Sequence, residues 1–481
     1  MILRKENYDF MCESCDLLLK KSTNHYRIGN DWLHVIRPHP IYFRQYQHIF
    51  NISSKLKFYF LLIKKLSLYT LLIFVRILKS LKKVNSNFTF TSKLKINSIF
   101  VSHLLNKDQE KDLQDFYFNE IPNKFCGKDN SLLLLINHTK ANYKFNGNTN
   151  RIVIPHTLSF FEELEISFKL FLDAIKLCNT KVESKIKLSA AVESLSPSTH
   201  INLRIGLYTK KIIRHFNPKY VFTTYEGQAW ERLVYGLSKK ENNSIISIGY
   251  QHALFFRNQH SIARKMEKEY NPDFVLCSGE NSINSFISRD FLPKDRLIVL
   301  GSNRIAREVK FSFKQKNLNT FLVLPEGDLA ECLPLVDYSL LLAKSYRNLK
   351  FIIRLHPITN RKKLLKLRPM LRLKNKNLQL SNETFDFDLN RSNFAIYRGS
   401  TAIIKAIQNG LYPFYYEIRN EVNVDPLYDL NKFKKTITSP ADLKLTLKDK
   451  HVLRLNQEKL IEGINSYFTP LNYDQLKKIK N

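Results

Sequence analysis

Short runs of β-branched and aromatic residues alternate along this chain with longer amphipathic stretches, and this alternation limits the fold more than any other feature. The clearest run, Phe351 to Leu355, ends abruptly at His356-Pro357. Because Pro357 has no backbone N–H, it predicts the end of a strand. The basic, Leu-rich run from Arg361 to Leu373 then predicts a helix. Strands that alternate with helices predict parallel sheets, whose ligands bind at the carboxyl ends of the strands.

The alternation occurs in two series, which predict two α/β domains. The first begins near Ile99 and the second near Phe321, and the polar, basic stretch from Lys310 to Asn319 between them is the best linker. We expect an N-terminal, mostly helical extension over 1–95, an acceptor domain over 96–309 and a donor domain over 318–470. The predicted fold is α/β, with two Rossmann-like domains that face each other across a cleft.

The charge of the chain indicates an anionic partner. The 481 residues carry a formal net charge of +33, which suits nucleic acid, an anionic membrane surface or a phosphorylated substrate. The aromatic residues lie mostly in predicted strands, and no stacking motif of the RNP kind is present. We therefore expect no nucleic-acid partner, although a nucleic-acid-binding module stays the alternative from a different class of protein.

The N-terminal region contains an apolar segment from Phe58 to Leu78 that is interrupted by Lys64, Lys65 and Arg76. These charges weaken a transmembrane interpretation. A basic amphipathic helix on anionic lipid and a core helix of an N-terminal subdomain both fit the pattern. No apolar signal region follows Met1, so we expect a cytoplasmic protein that is peripheral at the inner face of a membrane.

The cysteines do not form a recognisable metal or disulfide pattern. Cys12 and Cys15 form a C-x-x-C pair without a second pair at zinc spacing. Ordinary buried thiols are the favoured interpretation, and their scatter fits a reducing compartment.

The second series contains a candidate phosphate site. Arg398-Gly399-Ser400-Thr401 places two hydroxyls before a predicted helix, where orphan N–H groups bind anions, although Ser400 also suits a simple helix cap. His356 ends another strand and can donate a hydrogen bond or proton to a phosphate leaving group. We expect its strand to neighbour that of Ser400. The donor-site candidates are Glu326, Arg354, His356, Arg398, Gly399, Ser400, Thr401 and Glu417, the last as a ribose ligand.

The first series contains a candidate general base. Glu226 lies at a strand-to-helix turn beside Gly227, where a carboxylate can accept a proton from an acceptor hydroxyl. A helix-capping role for Glu226 is the alternative. Glu231, five residues on, is expected to face elsewhere on the helix. His252, in the loop after the next strand, is the rival base.

These motifs, taken together, resemble a family. In chain order they are Tyr225-Glu226-Gly227 with Trp230-Glu231, Gly249-Tyr250-Gln251-His252, Pro272-Asp273, Gly301-Ser302-Asn303-Arg304, Arg354-Leu355-His356-Pro357 and Arg398-Gly399-Ser400-Thr401. The set resembles bacterial surface-carbohydrate glycosyltransferases of the GT-B fold, and more narrowly the CMP-sugar-using sialyltransferases and capsule Kdo transferases. Tyr225 stands where many relatives have a second acid, and the hydroxyl pair is Ser-Thr rather than Ser-Ser.

The resemblance implies an inverting, metal-independent transfer of a sugar, such as a CMP-activated ulosonic acid, to a glycan or lipid-linked acceptor. Glu226 would take the acceptor proton, and His356, Ser400 and Thr401 would bind the departing phosphate. No cofactor is implied beyond the nucleotide-sugar donor. The resemblance also suggests that the last helix, near Gln457 to Tyr467, crosses back to the first domain. Teichoic-acid-type polyol-phosphate transferases and UDP-sugar GT-B enzymes remain alternatives.

Overall fold

The computed structural model describes residues 4–35, 40–52, 54–81, 95–112, 114–139, 150–302, 319–372, 377–447 and 450–480. The predicted linker from Lys310 to Asn319 lies outside these residues except for Asn319. The strands are β1 Ser98–Leu104, β2 Ser131–Asn137, β3 Arg151–Val153, β4 Tyr220–Thr224, β5 Ile246–Gln251, β6 Phe274–Cys277, β7 Leu297–Val299, β8 Thr320–Leu324, β9 Lys350–Ile353, β10 Leu378–Leu380, β11 Phe394–Tyr397, β12 Tyr412–Tyr416 and β13 Lys435–Ile437.

The α-helices are α1 Lys5–Leu19, α2 His25–Ile28, α3 Gln47–Asn51, α4 Lys55–Ser80, α5 Ile121–Cys126, α6 Phe160–Cys178, α7 Ser184–Ser194, α8 Pro197–Phe216, α9 Ala229–Glu241, α10 Glu280–Ile287, α11 Leu329–Ser345, α12 Arg361–Leu367, α13 Phe385–Asn390, α14 Ala402–Gln408, α15 Pro440–Leu447 and α16 Lys450–Ile464. Helix α12 ends earlier than the predicted Leu373, because Pro369 cannot continue a helix and restrains the residue before it.

The strands form two parallel sheets with one shared plan. The first sheet has the order β3-β2-β1-β4-β5-β6-β7 and the second the order β10-β9-β8-β11-β12-β13. Each contains the doubly wound 3-2-1-4-5-6 order of a Rossmann fold, and the first adds β7 at one edge. Apolar runs such as Leu132 to Ile136 in β2 form these sheets because helices cover both faces.

The chain returns to the first domain after α16. Helix α16 itself packs in the second domain, where Leu460 and Ile464 are buried. The crossing segment follows it: the Thr469 N–H donates to the Ser278 carbonyl at 2.9 Å. Gly301 has φ +95°, and a Cβ there would lie 2.3 Å from the Pro470 carbonyl oxygen, so only glycine fits.

A short 3₁₀ helix, Tyr473–Ile479, ends the described chain and buries Leu476 and Ile479 against the first sheet. Two Rossmann-like domains with a C-terminal segment that returns to the first constitute the GT-B architecture. The predicted fold class is therefore confirmed.

The N-terminal region is helical and packs on the first domain, where Met11, Leu19 and Leu33 join the core. Helix α4 differs, since only Phe58, Leu62 and Ser80 are buried among its 26 residues. Among the described residues it is the one helix long and apolar enough to cross a membrane, by length and composition. The core-helix alternative for this segment is wrong, and its contact with lipid stays a prediction.

Candidate active site

The carboxyl edges of both sheets hold the predicted site residues. In a doubly wound sheet the ligand crevice opens where the strand order reverses. In the first sheet this point lies between β1 and β4, and in the second between β8 and β11. Glu226 comes just after β4, and Gly399 just after β11. The chain therefore places its two most distinctive loops at the two switch points.

The loop after β4 is fixed by a close backbone approach at Gly227 and by the side chain of Glu231. Gly227 has φ +82°, and a Cβ there would lie 2.4 Å from the Ile262 backbone nitrogen. The buried Glu231 carboxylate accepts the N–H groups of Glu226, Gly227 and Gln228 at 2.8–3.0 Å. The prediction that Glu231 faces elsewhere is wrong, because the turn folds back over the first turn of α9.

This arrangement determines which acid caps the helix. Gln228 is the N-cap residue of α9, and Glu231 completes a capping box with it. The capping alternative for Glu226 is therefore wrong. Burial, and next the charge of Glu226, raise the pKa of Glu231, while the backbone N–H bonds act in the opposite direction. Tyr225 is fully buried and donates its hydroxyl to the Ile262 carbonyl at 2.6 Å, so it fixes the same loop.

The Glu226 side chain is oriented and remains partly accessible. Its Oε2 accepts a hydrogen bond of 2.9 Å from Gln228 Nε2, and Gln228 Oε1 accepts one from Trp230 Nε1. Its Oε1 lies 3.9 Å from His252 Nε2, and the side chain is 20% exposed. A carboxylate that is fixed but still reachable meets the geometric requirement for a general base.

His252, the rival base, belongs to the same site as Glu226. It is buried in the loop after β5, and its ring meets Tyr117 edge-on with centroids 4.7 Å apart. The two predicted bases are therefore neighbours, and His252 is the less accessible of them. Leu254 and Phe256, shortly after it, are buried in the core cluster of the second domain. This places the Glu226–His252 pair where the two domains meet.

The structure adds a histidine pair that is not among the predicted site residues. His103 Nδ1 lies 2.8 Å from His138 Nε2, and its Nε2 lies 3.1 Å from Thr224 Oγ1. Burial, and then the charge of His138, lower the pKa of His103 to about 3, so its ring is neutral at physiological pH. The sequence does hold a signal for the pair: both histidines follow or end apolar strands, as His356 does.

In the second domain, His356 lies against the loop after β8. Its Nδ1 accepts the Ile358 N–H at 3.3 Å, and a Cβ on Gly327 would approach Nδ1 to 2.9 Å. Partial desolvation of the ring lowers the pKa of His356, and the charge of the buried Glu326 acts in the opposite direction. His356 itself belongs to the loop after β9 and is exposed to solvent. Glu326 and His356 are thus neighbours, as expected for one site.

The expectation that the His356 and Ser400 loops end neighbouring strands is wrong. Strand β8 lies between β9 and β11 and pairs with both. Strand β8 is central because the first strand of a doubly wound sheet lies in the middle, and later strands are added on both sides of it. Ser400 is buried and Thr401 is exposed at the N-cap of the seven-residue helix α14. Three adjacent loops, after β9, β8 and β11, therefore share this edge.

Two of the predicted donor-site residues, Arg354 and Arg398, form ion pairs with carboxylates of this chain. The buried Arg398 donates from Nε to Glu331 at 3.1 Å and from Nη2 to Glu421 at 2.5 Å. Arg44 of the N-terminal region contacts the same two carboxylates. Arg354 donates to Asp388 at 2.9 Å. Carboxylates already bind both predicted arginines, which favours structural roles over phosphate binding.

Glu417, the predicted ribose ligand, lies half-buried just after β12, next to the β11 loop. Its backbone N–H donates to the Ile437 carbonyl at 3.0 Å. The ribose role remains a prediction.

Across the described residues, no group of three or more His, Cys, Asp or Glu side chains suits a metal ion. Cys12 and Cys15 are buried free thiols, and burial raises the pKa of Cys12 to about 12.

The sequence of this chain has low identity to proteins of similar fold. No family model matches the sequence, and no curated protein matches it. Among solved structures, the UDP-GlcNAc 2-epimerase from Neisseria meningitidis bound to UDP-GlcNAc has 14% identity over 80% of this chain and 98% of that chain, with TM-score 0.40. A putative UDP-N-acetylglucosamine 2-epimerase from Listeria monocytogenes has 11% identity over 80% and 95%, with TM-score 0.45.

The lipopolysaccharide outer core galactosyltransferase WaaB in its apo form has 10% identity over 80% of this chain and 98% of that chain, with TM-score 0.45. At these identities and TM-scores we infer no residue role from the three proteins. The fold follows from the strand order of this chain itself.

Proposed function

We propose that the chain is a glycosyltransferase of surface-polysaccharide biosynthesis that uses a nucleotide-sugar donor. The observation that carries this proposal is the Glu226–His252 pair, with 3.9 Å between Oε1 and Nε2, at the switch point of the first sheet and beside the interdomain contact. A fixed carboxylate at such a cleft suits an acceptor hydroxyl, and the opposite edge offers His356 and Thr401 to a phosphate.

The reaction we propose is a single inverting displacement. Glu226 takes the proton of the acceptor hydroxyl, whose oxygen forms a bond to the anomeric carbon. The bond from that carbon to the donor phosphate oxygen breaks, and its electron pair leaves with the phosphate. His356 and the Ser400-Thr401 loop stabilise the charge of this leaving group. Gln228 orients the Glu226 carboxylate during the transfer.

We propose CMP as the nucleotide and an ulosonic acid as the sugar, because the order of the Glu226-Gly227, His356-Pro357 and Ser400-Thr401 motifs resembles the CMP-sugar branch. The metal-independent character belongs to the same proposal. The acceptor is a glycan or lipid-linked glycan. A location at the inner face of an anionic membrane fits the exposed side chains of α4, among them Phe60 at 70% and Ile63 at 61% exposure.

A nucleotide panel tests the donor assignment. The midpoint of thermal unfolding is measured with CMP, CDP, UMP, UDP and GDP, since a ligand that binds only the folded state stabilises it by mass action. We expect the largest stabilisation from CMP, its loss in His356→Ala and its retention in Glu226→Gln. A larger stabilisation by UDP than by CMP would favour the UDP-sugar alternative. Turnover of a CDP-linked donor in preference to a CMP-linked one would favour polyol-phosphate transfer. No effect from any nucleotide would refute the donor site.

A further inference from the structure

A cleft of about 430 Å³ lies between helix α4 and the carboxyl edge of the first sheet. It is separate from the Glu226 loop. We call it the α4 cleft, and its lining residues are Leu72, Val75, Arg76, Lys79, His156, Thr157 and Pro197. One wall thus belongs to the exposed apolar helix, and the other follows β3.

The α4 cleft is positively charged and has an unsatisfied donor. Arg76 Nη1 is buried and has no hydrogen-bond partner among the residues that the structure describes. Arg204 is 8% exposed and donates to the His156 carbonyl oxygen, while its Nε has no partner within the described ranges. Glu163 is the carboxylate whose charge acts on both arginines. A buried guanidinium N–H without a partner is costly, and a phosphate is the anion that best fits a guanidinium.

The α4 cleft opens onto apolar surface. Leu72 and Val75 line it, and Leu71, Phe74 and Leu78 on the same helix are 48–58% exposed. Helix α6 packs against α4 and exposes a second apolar stripe, in which Phe161 is 79% exposed. A membrane-facing surface accounts for such side chains on a protein with this basic charge.

A polar row leads from the α4 cleft to the candidate base. Asn137 Nδ2 lies 3.4 Å from His156 Nε2, and the neighbouring His138 contacts His103, which contacts Thr224. Thr224 lies two residues before Glu226. The row crosses from β3 to β4, three strand spacings or about 14 Å. A hydroxyl at Glu226 and a phosphate in the cleft therefore fit one molecule longer than a single sugar ring.

We propose that the α4 cleft binds the phosphate of a lipid-linked glycan acceptor. Arg76 and Lys79 contact the phosphate, the apolar chain follows α4 into the membrane, and the glycan passes the exposed His156 and His138 towards Glu226. The proposal rests on the proposed transferase function and specifies its acceptor: a phosphate ester on a long apolar chain.

Vesicle sedimentation of the full chain tests this proposal without any donor. Neutral phosphatidylcholine vesicles are doped with a polyprenyl phosphate or, at equal surface charge, with phosphatidylglycerol. We expect the wild-type chain to bind the polyprenyl phosphate vesicles about tenfold more tightly, which corresponds to ~1.4 kcal/mol. Equal binding to the two kinds of vesicle would overturn the proposal, because bulk electrostatics would then suffice.

Two double variants test whether the preference for polyprenyl phosphate depends on the α4 cleft. Arg76→Gln with Lys79→Gln should abolish the preference for polyprenyl phosphate. The matched control, Lys57→Gln with Lys64→Gln, removes two exposed cations from the same helix outside the cleft and should weaken binding to both vesicles alike. If the two double variants behave identically, the cleft has no role in phosphate recognition.

Val75→Trp provides a second test in case the Arg76 variant does not fold. Val75 is 36% exposed at the cleft, so a larger side chain fills the cleft without a loss of charge. We expect phosphatidylglycerol binding to persist while the polyprenyl phosphate preference is lost; a retained preference would contradict the site. Because CMP stabilisation is measured separately, failure of the lipid preference and failure of the transferase proposal are distinguishable.

Discussion

The two sheets share one strand order, but their carboxyl edges hold polar side chains in different ways. On the first edge, His103 and His252 are buried, and the Glu226 loop is clamped by Glu231. On the second edge, His356 and Thr401 are exposed at the ends of their loops. A rigid edge suits a proton transfer, which depends on angstrom-scale positioning. An exposed edge suits a soluble nucleotide that must enter and leave.

The substitution with the largest expected effect tests the edge of the first sheet. Glu226→Gln keeps the shape of the side chain but removes the proton acceptor, so kcat should fall by ~10²–10⁴-fold while CMP affinity is nearly unchanged. Steady-state kinetics and nucleotide titration measure the two quantities.

His252→Gln is the control for this experiment. If Glu226→Gln keeps near-normal kcat and His252→Gln is inactive, the base is His252. If both keep activity, the acceptor site lies elsewhere and the contrast between the two edges has no catalytic meaning.

A single added methyl group at Gly227 tests the close contact between the Glu226 loop and the backbone of Ile262. In Gly227→Ala the new Cβ meets the backbone of Ile262 at 2.4 Å and the residue keeps a positive φ. We expect a loss of about 4 kcal/mol or more in the free energy of unfolding, the range of severe single substitutions. Urea denaturation measures this loss.

Gly127→Ala is the matched control. Gly127 also has φ +82°, but no atom of the described part of the chain lies within 4 Å of the position that its Cβ would take. Its cost should be limited to backbone strain, about 1–3 kcal/mol. Equal losses in the two variants would show that the contact with Ile262 does not hold the loop.

The exposed edge is tested by His356→Ala. If His356 contacts the leaving phosphate, turnover should fall by about 10²-fold, the scale of one lost transition-state donor. Because His356 is exposed, the free energy of unfolding should change little. A folded variant with unchanged turnover would remove His356 from the site.

The strands are predictable from the sequence, but their neighbours in the sheet are less so. Runs such as Phe394 to Tyr397 and Tyr412 to Tyr416 are recognisable because buried parallel strands are locally apolar. The position of β8 between β9 and β11 depends on pairing between distant segments, which local periodicity does not encode. The helices α7 and α8 are not among the predicted elements.

The candidate site, like the order of the strands, is only partly predictable from the sequence. Glu226, His252 and His356 are identifiable from the ends of single strands, whereas the buried ion pairs of Arg398 with Glu331 and Glu421 join distant segments. Likewise, the His103–His138 contact links two strands separated by a long connection. Chemistry at one strand end is readable from sequence, but contacts between strand ends require the three-dimensional arrangement.

The effect that is smallest at neutral pH concerns the protonation of His103 at the first edge, and it grows only on acidification. The pKa of His103 is lowered to about 3, mainly by burial, from the ordinary value of 6.5. Between these two values the unfolded chain binds a proton at this residue and the folded chain does not. Stability should therefore fall as pH falls from 6.5 towards 3, by up to about 1.4 kcal/mol per pH unit from this residue.

His103→Gln isolates that contribution, because glutamine can still contact Thr224 but does not titrate. Urea denaturation at several pH values should give a shallower loss of stability on acidification for His103→Gln than for the wild type. His215→Gln, which replaces an exposed histidine, should leave the slope nearly unchanged. Parallel slopes for the wild type and His103→Gln would mean that His103 is protonated in the folded chain. The first edge would then be open to water like the second, and its rigidity could not account for base catalysis by Glu226.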